Sequence, residues 1–255
     1  MKQMLAGKVI LVAGAGGIGS GLACRYAAEG AHVVLGDLNL DAAREVIGEI
    51  QREKGDAIAI HLDGADEKSV SAAIEACRDT YGGLDGLHAN FAYLGDNNPE
   101  LGILELPLEV FDQTQRVNAR GFYLCTKAAL PLMIERGGGS IVYTSSAAAN
   151  AKTPALVAYA MSKAAGQALM RHVATRFGPQ GVRANTIAPA LTLHSRIEAL
   201  VPAQMIDWAR AAAVIKSRVG RPDDIAAMGA LLLSDDGSYI TGQVISIDGG
   251  TTMRP

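Results

Sequence analysis

Aromatic residues, cysteines and basic charge are all scarce in this chain of 255 residues. The three cysteines (Cys24, Cys77 and Cys125) are scattered over segments with helical patterns, so neither a disulfide framework nor a zinc site is expected. The net charge is −3, whereas proteins that bind nucleic-acid phosphates usually carry a basic excess. No apolar run reaches the roughly 18–20 residues of a membrane span, and the N-terminus lacks an apolar signal core. We therefore expect a cytoplasmic protein that binds neither nucleic acid nor membrane.

Glycine, by contrast, is plentiful at 29 residues, which suits an α/β domain with many tight turns. Apolar residues make up 49% of the chain and charged residues 19%, and this balance excludes a disordered chain. The five histidines show no metal-ligand spacing, so we predict no metal site.

Short apolar segments alternate with helical patterns along the chain. Strands are predicted at 9–13, 32–36, 57–62, 86–89, 140–144, 183–187 and 244–247. Helices are predicted at 18–29, 41–53, 67–81, 109–135 (bent or ended by Pro131), 159–177, 203–216 and 222–233. Several strands are apolar throughout, which indicates a sheet covered on both faces. The pattern predicts one α/β domain over 1–255, a Rossmann-type doubly wound sheet of about seven parallel strands with helices on both faces.

A glycine-rich loop follows the first strand. Gly14, Gly16 and Gly19 have the G-x-G-x-x-G spacing, which supplies a tight turn and a helix N-terminus for a pyrophosphate. Asp37 ends the second strand, where a carboxylate can accept hydrogen bonds from an adenosine ribose and would repel a 2′-phosphate. No Arg or Lys lies in the loop or directly after Asp37, so the sequence favours NAD over NADP.

Tyr159 and Lys163 are four residues apart in a predicted helix and therefore share one face. A phenol with an ordinary pKa of about 10 is a poor base at neutral pH, but a nearby cation favours the phenolate. Such a tyrosine could exchange a proton with a carbonyl oxygen. The pair alone is common and mostly structural. Ser146 and Pro189, however, follow the fifth and sixth strands at the edge where open α/β sheets bind ligands.

Together with the glycine loop, these residues make the chain resemble the short-chain dehydrogenase/reductase family, classical type, along almost its whole length. Ser146, Tyr159 and Lys163 match the family's catalytic residues, and Asn118 matches its helix asparagine. The resemblance implies an oxidoreductase that interconverts a secondary alcohol and a ketone by hydride transfer, with Tyr159 as general acid/base. It also implies that Ser146 binds the substrate oxygen and that Lys163 lowers the pKa of Tyr159 and contacts the nicotinamide ribose. Asn118 would hold a water that links Lys163 to solvent.

The same resemblance implies NAD(H) as cofactor and a homotetramer built on the helices at 109–135 and 159–177 and on the last strand. The implied cofactor contacts are Gly14, Gly16, Gly17, Ile18, Gly19, Asp37, Leu38, Asp63, Gly64, Asn90, Phe91, Ala92, Tyr159, Lys163, Pro189, Ala190, Leu191 and Thr192.

A substrate lid is expected at about 190–216, over a mostly apolar pocket for a small neutral or weakly polar molecule. The predicted substrate contacts are Tyr93, Ser146, Leu193, His194 and Trp208. A solvated loop position for His194 and plain packing for Trp208 remain open alternatives.

The chain departs from the family pattern in its glycine loop, which is one residue shorter, and at several single positions. Ala13 stands where the family has threonine, Ala89 where it has the first asparagine of the strand-four motif, and Ala190 where it has glycine. Phe91 and Ala92 replace Ala-Gly, and they are expected to add bulk near the cofactor path. Because a fold does not determine function, a catalytically weak nucleotide-binding sensor or interaction protein is the alternative hypothesis.

Overall fold

One sheet of seven parallel strands runs through the protein. The computed structural model describes residues 3–94, 102–150, 156–194, 197–198 and 200–253. The strands are β1 (Val9–Ala13), β2 (His32–Asp37), β3 (Asp56–His61), β4 (Gly86–Ala89), β5 (Gly139–Thr144), β6 (Val182–Pro189) and β7 (Val244–Ile247). Their order is β3-β2-β1-β4-β5-β6-β7, which confirms the predicted doubly wound Rossmann-type sheet.

Eight helices within the described residues surround the sheet. They are α1 (Gly17–Ala28), α2 (Leu40–Arg52), α3 (Glu67–Tyr81), α4 (Leu108–Thr114), α5 (Gly121–Glu135), α6 (Val157–Phe177), α7 (Ala203–Ala212) and α8 (Pro222–Leu233). None of these helices is long and apolar enough to cross a membrane.

The apolar strands supply both faces of the core, because successive side chains of a strand point in opposite directions. In β1, Val9 and Leu11 face one apolar cluster, which α3, α5 and α6 cover. Ile10 and Val12 face the other cluster, which α1, α2 and α8 cover. Burial on both sides explains why these strands lack polar alternation.

The helix predicted at 109–135 is confirmed in extent, since the chain is helical from Leu108 to Glu135. It consists of α4, a π-helical turn at Gln115–Arg120, and α5. Pro131 lies inside α5, so the expectation that it ends the helix is not met. Packing explains this tolerance. Burial of Phe122, Leu130 and Met133 of α5 stabilises the helix by more than the loss of one backbone hydrogen bond destabilises it.

The helix predicted at 203–216 is also too long, because α7 ends at Ala212. The backbone N–H groups of Val214 and Ile215 donate to the Gly249 carbonyl at 2.8 and 2.9 Å. This pairing with the C-terminal segment replaces the hydrogen bonds that would continue the helix. The predicted lid at 190–216 also includes residues 195, 196 and 199, which lie outside the described residues.

Candidate active site

A cleft of about 1000 Å³ opens at the carboxyl edge of the sheet, around the switch point where β1 has β2 on one side and β4 on the other. Open α/β sheets bind their ligands at this place. The predicted site residues in its lining are Gly14, Gly16, Gly17, Ile18, Asp37, Leu38, Asp63, Gly64, Asn90, Phe91, Ala92, Tyr93, Ser146, Tyr159, Lys163, Pro189, Ala190, Leu191, Thr192 and His194.

Four predicted site residues lie outside that lining. Gly19 is buried in the first turn of α1, and Asn118 is buried in the π-helical turn. Trp208 lies on α7 with 71% of its surface exposed, and Leu193 is partly buried within the predicted lid. In this structure, the predicted substrate contacts Trp208 and Leu193 therefore do not reach the cleft.

The glycine loop is tied to the end of β4 through backbone atoms. The N–H groups of Asn90 and Phe91 both donate to the Ala13 carbonyl, at 2.8 and 3.0 Å. Gly14 has φ +106°, and a Cβ there would lie 2.8 Å from the Phe91 nitrogen. Glycine is therefore required at Gly14 both for its backbone conformation and for the close approach of the two chains.

Asp37 binds the loop from the other side. Its Oδ2 accepts a hydrogen bond from the Ala15 N–H at 2.7 Å, and its Oδ1 accepts one from the Asn39 N–H at 2.8 Å. Leu38 beside it is 67% exposed. Asp63, also in the lining, accepts a hydrogen bond from the Ala65 N–H at 2.8 Å. Two carboxylates thus lie in the part of the cleft formed by the ends of β2 and β3.

Tyr159 and Ser146 both line the cleft, and the Ser146 side chain lies close enough to the phenol to influence its pKa. Ser146 begins a short 3₁₀ turn, and its Oγ accepts a hydrogen bond from the Ala148 N–H at 3.1 Å. Burial raises the pKa of Tyr159 above its ordinary value of 10, and the Ser146 side chain opposes that rise. The phenol is therefore protonated at neutral pH.

Lys163 is fully buried, and carbonyl oxygens hold its ammonium. The Nζ donates to the Thr144 carbonyl at 2.8 Å and to the Phe91 carbonyl at 3.4 Å. It lies 4.7 Å from the centre of the Phe122 ring and 5.7 Å from the centre of the Tyr159 ring. Burial lowers the pKa of Lys163 to about 7.

The expectation that Lys163 lowers the pKa of Tyr159 stays a prediction. In this structure burial raises the pKa of Tyr159, and the Lys163 ammonium is directed at the Thr144 carbonyl.

Asn118 holds the segment that follows β4. Its Oδ1 accepts a hydrogen bond from the Tyr93 N–H at 2.6 Å, and its Nδ2 donates to the Tyr93 carbonyl at 2.8 Å and to the Ser162 hydroxyl at 3.0 Å. Short π-helical turns often occur at functional sites, and here the turn brings Asn118 against the cleft wall.

The Phe91 ring occupies a slot between two glycines. A Cβ at Gly64 would lie 2.8 Å from the ring, and a Cβ at Gly121 would lie 2.7 Å from it. The ring also packs against Phe122, with 5.5 Å between the ring centres. The expected bulk in the cofactor path is therefore accommodated in this slot, because glycine at both positions makes room for the ring.

His194 lines the cleft and lies over the glycine loop. A Cβ at Gly17 would overlap its imidazole ring, so the ring covers the N-terminus of α1. A bridge between Thr192 and Gly220 and a hydrogen bond from the Leu193 N–H to the Gly220 carbonyl at 2.9 Å hold the adjacent chain. His194 thus lies in the lining of the cleft, and its contact with substrate stays a prediction.

Sequence reasoning missed several residues that touch or support the cleft, and Thr144, Arg116 and His88 are among them. Thr144 binds Lys163 through its carbonyl, and its place directly before Ser145-Ser146 at the end of β5 was an available signal. Arg116, on the π-helical turn, lines the cleft. His88 is fully buried in β4, and a polar residue within an apolar strand was the signal that it has partners.

Comparison with known proteins covers nearly the whole chain. Residues 12–252 match the family described as enoyl-(acyl carrier protein) reductase. A probable short-chain type dehydrogenase/reductase of Bradyrhizobium diazoefficiens is 43% identical over 245 residues, which cover 96% of this chain and 87% of that protein. The chain belongs to the short-chain dehydrogenase/reductase family.

Relatives in this family include dehydrogenases of ring compounds. The 2,5-dichloro-2,5-cyclohexadiene-1,4-diol dehydrogenase LinX of Sphingobium indicum is 38% identical over 254 residues, 99% of each chain. A 7α-hydroxysteroid dehydrogenase solved with NADH and 7-oxo glycochenodeoxycholic acid superposes with a TM-score of 0.90 at 32% identity. That superposition covers 98% of this chain and 96% of the other. The protein is thus a short-chain dehydrogenase/reductase oxidoreductase, in a family that uses a nicotinamide cofactor.

The residues of the cleft fit such a cofactor. Gly16 leaves open space beside the N-terminus of α1, where backbone N–H groups favour a diphosphate. Asp37 presents its carboxylate next to the loop, where a ribose hydroxyl could donate to it. Among the described residues, no group of three or more His, Cys, Asp and Glu side chains could hold a metal ion.

Proposed function

We propose that this short-chain dehydrogenase/reductase is an NAD(H)-dependent enzyme that interconverts a secondary alcohol and a ketone, with Tyr159 as general acid/base. The observation that carries the proposal is that Ser146, Tyr159 and Lys163 line the same cleft as the glycine loop. The dehydrogenase relatives favour this enzyme over the alternative of a nucleotide-binding sensor.

In the proposed mechanism, Ser146 and Tyr159 both bind the substrate oxygen. Tyr159 donates a proton to this oxygen during ketone reduction and accepts one during alcohol oxidation. The raised pKa of Tyr159 keeps the phenol protonated at neutral pH, which suits the reduction direction. Lys163 lies beside the phenol and holds the chain at Thr144 and Phe91 through its ammonium. The nicotinamide, when bound, supplies or accepts the hydride.

We propose NAD(H) as the preferred cofactor. Asp37 carries its charge at the end of β2, and a second negative charge from a 2′-phosphate would be repelled there. Arg116 and Lys163 are the only Arg or Lys side chains in the described lining of the cleft, and the ammonium of Lys163 is bound to the Thr144 and Phe91 carbonyls.

We propose a cyclic, mostly apolar alcohol or ketone as the substrate. Two dehydrogenase relatives carry ring compounds in their names, a cyclohexadienediol and a bile-acid derivative. Apolar side chains of this cleft, including Leu94, Leu191 and Ile197, could pack against such a ring.

We also propose that the enzyme assembles as a homotetramer through the segment 108–135, α6 and β7. Tyr123 of α5 and Met161 of α6 expose 53% and 51% of their surfaces. Large exposed apolar side chains on these helices support a contact between subunits.

The first experiment is a fluorescence titration of the purified protein with NADH and, separately, with NADPH. We expect binding of NADH and at least about 10-fold weaker binding of NADPH, a difference of about 1.4 kcal/mol. If neither NADH nor NADPH binds, the result would contradict the proposed enzyme and favour the sensor.

The second experiment compares Tyr159→Phe with the wild type on a panel of cyclic alcohols. Loss of a general acid/base should lower kcat by about 10²–10⁴-fold, while the Kd for NADH stays within about 2-fold. Tyr239→Phe is the matched control, since Tyr239 is fully exposed and not in the cleft lining. Full activity of Tyr159→Phe would refute the proposed role of the phenol.

A further inference from the structure

A line of hydrogen bonds crosses the core behind the cleft. The Tyr26 hydroxyl of α1 lies 2.6 Å from His88 Nδ1, and His88 Nε2 lies 2.9 Å from the Thr144 hydroxyl. The Thr144 hydroxyl donates to Asn90 Oδ1 at 3.0 Å, and Asn90 Nδ2 donates to the Gly14 carbonyl at 3.3 Å. The line therefore connects a core helix to the glycine loop.

The direction of each bond in this line follows from its last acceptor. The Gly14 carbonyl can only accept, so Asn90 directs its NH₂ group there and its oxygen towards Thr144. The Thr144 hydroxyl uses its proton on Asn90 and must accept from His88 Nε2–H. His88 Nδ1 then carries no proton and accepts from the Tyr26 hydroxyl. One neutral tautomer of His88 satisfies every group in the line.

Burial supports this assignment. Tyr26 and His88 are fully buried, and Thr144 is nearly so. Burial lowers the pKa of His88 to about 3 and raises the pKa of Tyr26 well above 10, so both remain neutral at physiological pH. Buried polar groups destabilise a core unless they are hydrogen-bonded, and these groups all are.

Thr144 connects this line to the lysine of the cleft. Its hydroxyl belongs to the line, and its carbonyl accepts the hydrogen bond from Lys163 Nζ at 2.8 Å. A change at His88 should therefore alter the structure in two places. It should affect the glycine loop through Asn90 and the position of Lys163 through Thr144.

Two further features are adapted to the line. Ala13 has no hydroxyl with which to brace the glycine loop, and the side chain of Asn90 at the end of β4 binds the loop at the Gly14 carbonyl. Gly229 of α8 lies over the Tyr26 hydroxyl, and a Cβ there would overlap it. Glycine at that position leaves the space that the hydroxyl needs.

We propose that His88 is a positioning residue that, through Thr144 and Asn90, sets the glycine loop and Lys163 relative to each other. It touches neither substrate nor cofactor and acts only through its neighbours. The proposal rests on the proposed function for its kinetic consequence, but the ordering of the glycine loop can be measured in the cofactor-free protein.

The test compares His88→Leu, His88→Gln and Ser140→Ala. Leu removes both hydrogen bonds, whereas Gln keeps an NH₂ donor for Thr144. Ser140 is the matched control, because its buried hydroxyl donates to the Leu232 carbonyl at 2.8 Å. Ser140 lies near the end of β5 opposite to Thr144. The measurements are amide hydrogen exchange of residues 13–18 without cofactor, the Kd for NADH, kcat, and urea unfolding.

For His88→Leu we expect about 10-fold faster exchange in the loop, an NADH Kd raised by about 5- to 10-fold, and a lowered kcat. His88→Gln should recover most of each effect. Ser140→Ala should lose stability and leave the other three quantities unchanged. If His88→Leu loses stability but keeps wild-type loop exchange, Kd and kcat, the line is a packing feature and the proposal is overturned.

Two results separate this proposal from the proposed function. If the wild type binds no NADH, the proposed function fails, while faster loop exchange in His88→Leu would still support the positioning role. If His88→Leu does not fold, Tyr26→Phe serves instead, because it removes only the first donor of the line. Its loop exchange should rise in the same direction by a smaller factor, and an unchanged rate would overturn the proposal.

Discussion

Asp37 accepts a hydrogen bond at 2.7 Å from the backbone N–H of Ala15, so the end of β2 and the glycine loop are held together by a side chain. The other oxygen of Asp37 binds the Asn39 N–H at 2.8 Å. This carboxylate therefore shapes the loop and also places a negative charge next to it.

Replacing Asp37 should change cofactor selectivity. Asp37→Ser removes the negative charge that would repel a 2′-phosphate and loosens the loop at Ala15. We expect the Kd for NADH to rise by about 10-fold and the Kd for NADPH to fall, so that their ratio shifts by about 10- to 100-fold. Fluorescence titration with both cofactors measures the ratio.

Asp41→Ser is the matched control for this variant. Asp41 also carries a carboxylate near the end of β2, but its side chain is 85% exposed, pairs with Arg44, and is not in the cleft lining. Its replacement should leave both dissociation constants unchanged. An unaltered NADH to NADPH ratio in Asp37→Ser would show that Asp37 does not select the cofactor.

The slot around Phe91 predicts a coupled pair of substitutions. Gly64→Val places a side chain where the ring lies, and overpacking of this kind costs about 1–3 kcal/mol of unfolding free energy. Phe91→Ala removes the ring and leaves a cavity, at a cost of about 3 kcal/mol. In the double variant, the valine fills part of that cavity. The double variant should therefore be more stable than the sum of the single effects by about 1–2 kcal/mol.

Urea unfolding of the four proteins measures this coupling. Gly48→Val is the control for the glycine substitution itself, since a Cβ at Gly48 would meet nothing within 4 Å. It should show no coupling with Phe91→Ala. Strict additivity of Gly64→Val and Phe91→Ala would contradict the described position of the ring.

Burial of Lys163 predicts a dependence of stability on pH. Its pKa is about 7 in the folded protein, below the ordinary value of 10.5. Between these pH values the unfolded chain binds a proton at Lys163 that the folded protein does not bind, so the contribution of Lys163 to stability rises with pH. Below pH 7 its destabilising effect is greatest.

Comparison with Lys163→Met measures this effect, because methionine does not titrate. The stability of the wild type relative to the variant should increase from pH 7 to pH 9 by on the order of 1 kcal/mol per pH unit. Lys127→Met is the control, since Lys127 is exposed and paired with Glu67 at 2.8 Å. The difference in unfolding free energy between the wild type and Lys127→Met should stay constant over the same pH range. A constant difference for Lys163→Met would mean that the buried ammonium is not destabilised.

Element types and the cleft residues were predictable because they depend on local patterns. The apolar segments of β1 and β2 and the glycines between them lie close together in the chain, and parallel α/β topology brings strand ends to one edge. Ser146, Tyr159 and Lys163 therefore reach one cleft, as their positions after β5 and in α6 predict.

Other features depended on contacts between distant residues. The slot for Phe91 needs Gly64 and Gly121, and the π-helical turn at Asn118 accompanies hydrogen bonds to Tyr93 and Ser162. No local pattern contains these partners, so the sequence predicted neither the π-helical turn within the helix at 109–135 nor the slot that accommodates Phe91.

The amino-acid sequence was sufficient for the order of strands and helices, for the glycine loop and for naming the side chains that are proposed to react, since each of these rests on short local motifs. Only the tertiary structure decided the ionisation of those side chains and the single tautomer of His88. A pKa depends on how much water and which charges surround a group, and in this protein burial raises the pKa of Tyr159 and lowers that of Lys163. Burial at those positions results from the packing of α6 against the sheet, which no short stretch of sequence specifies.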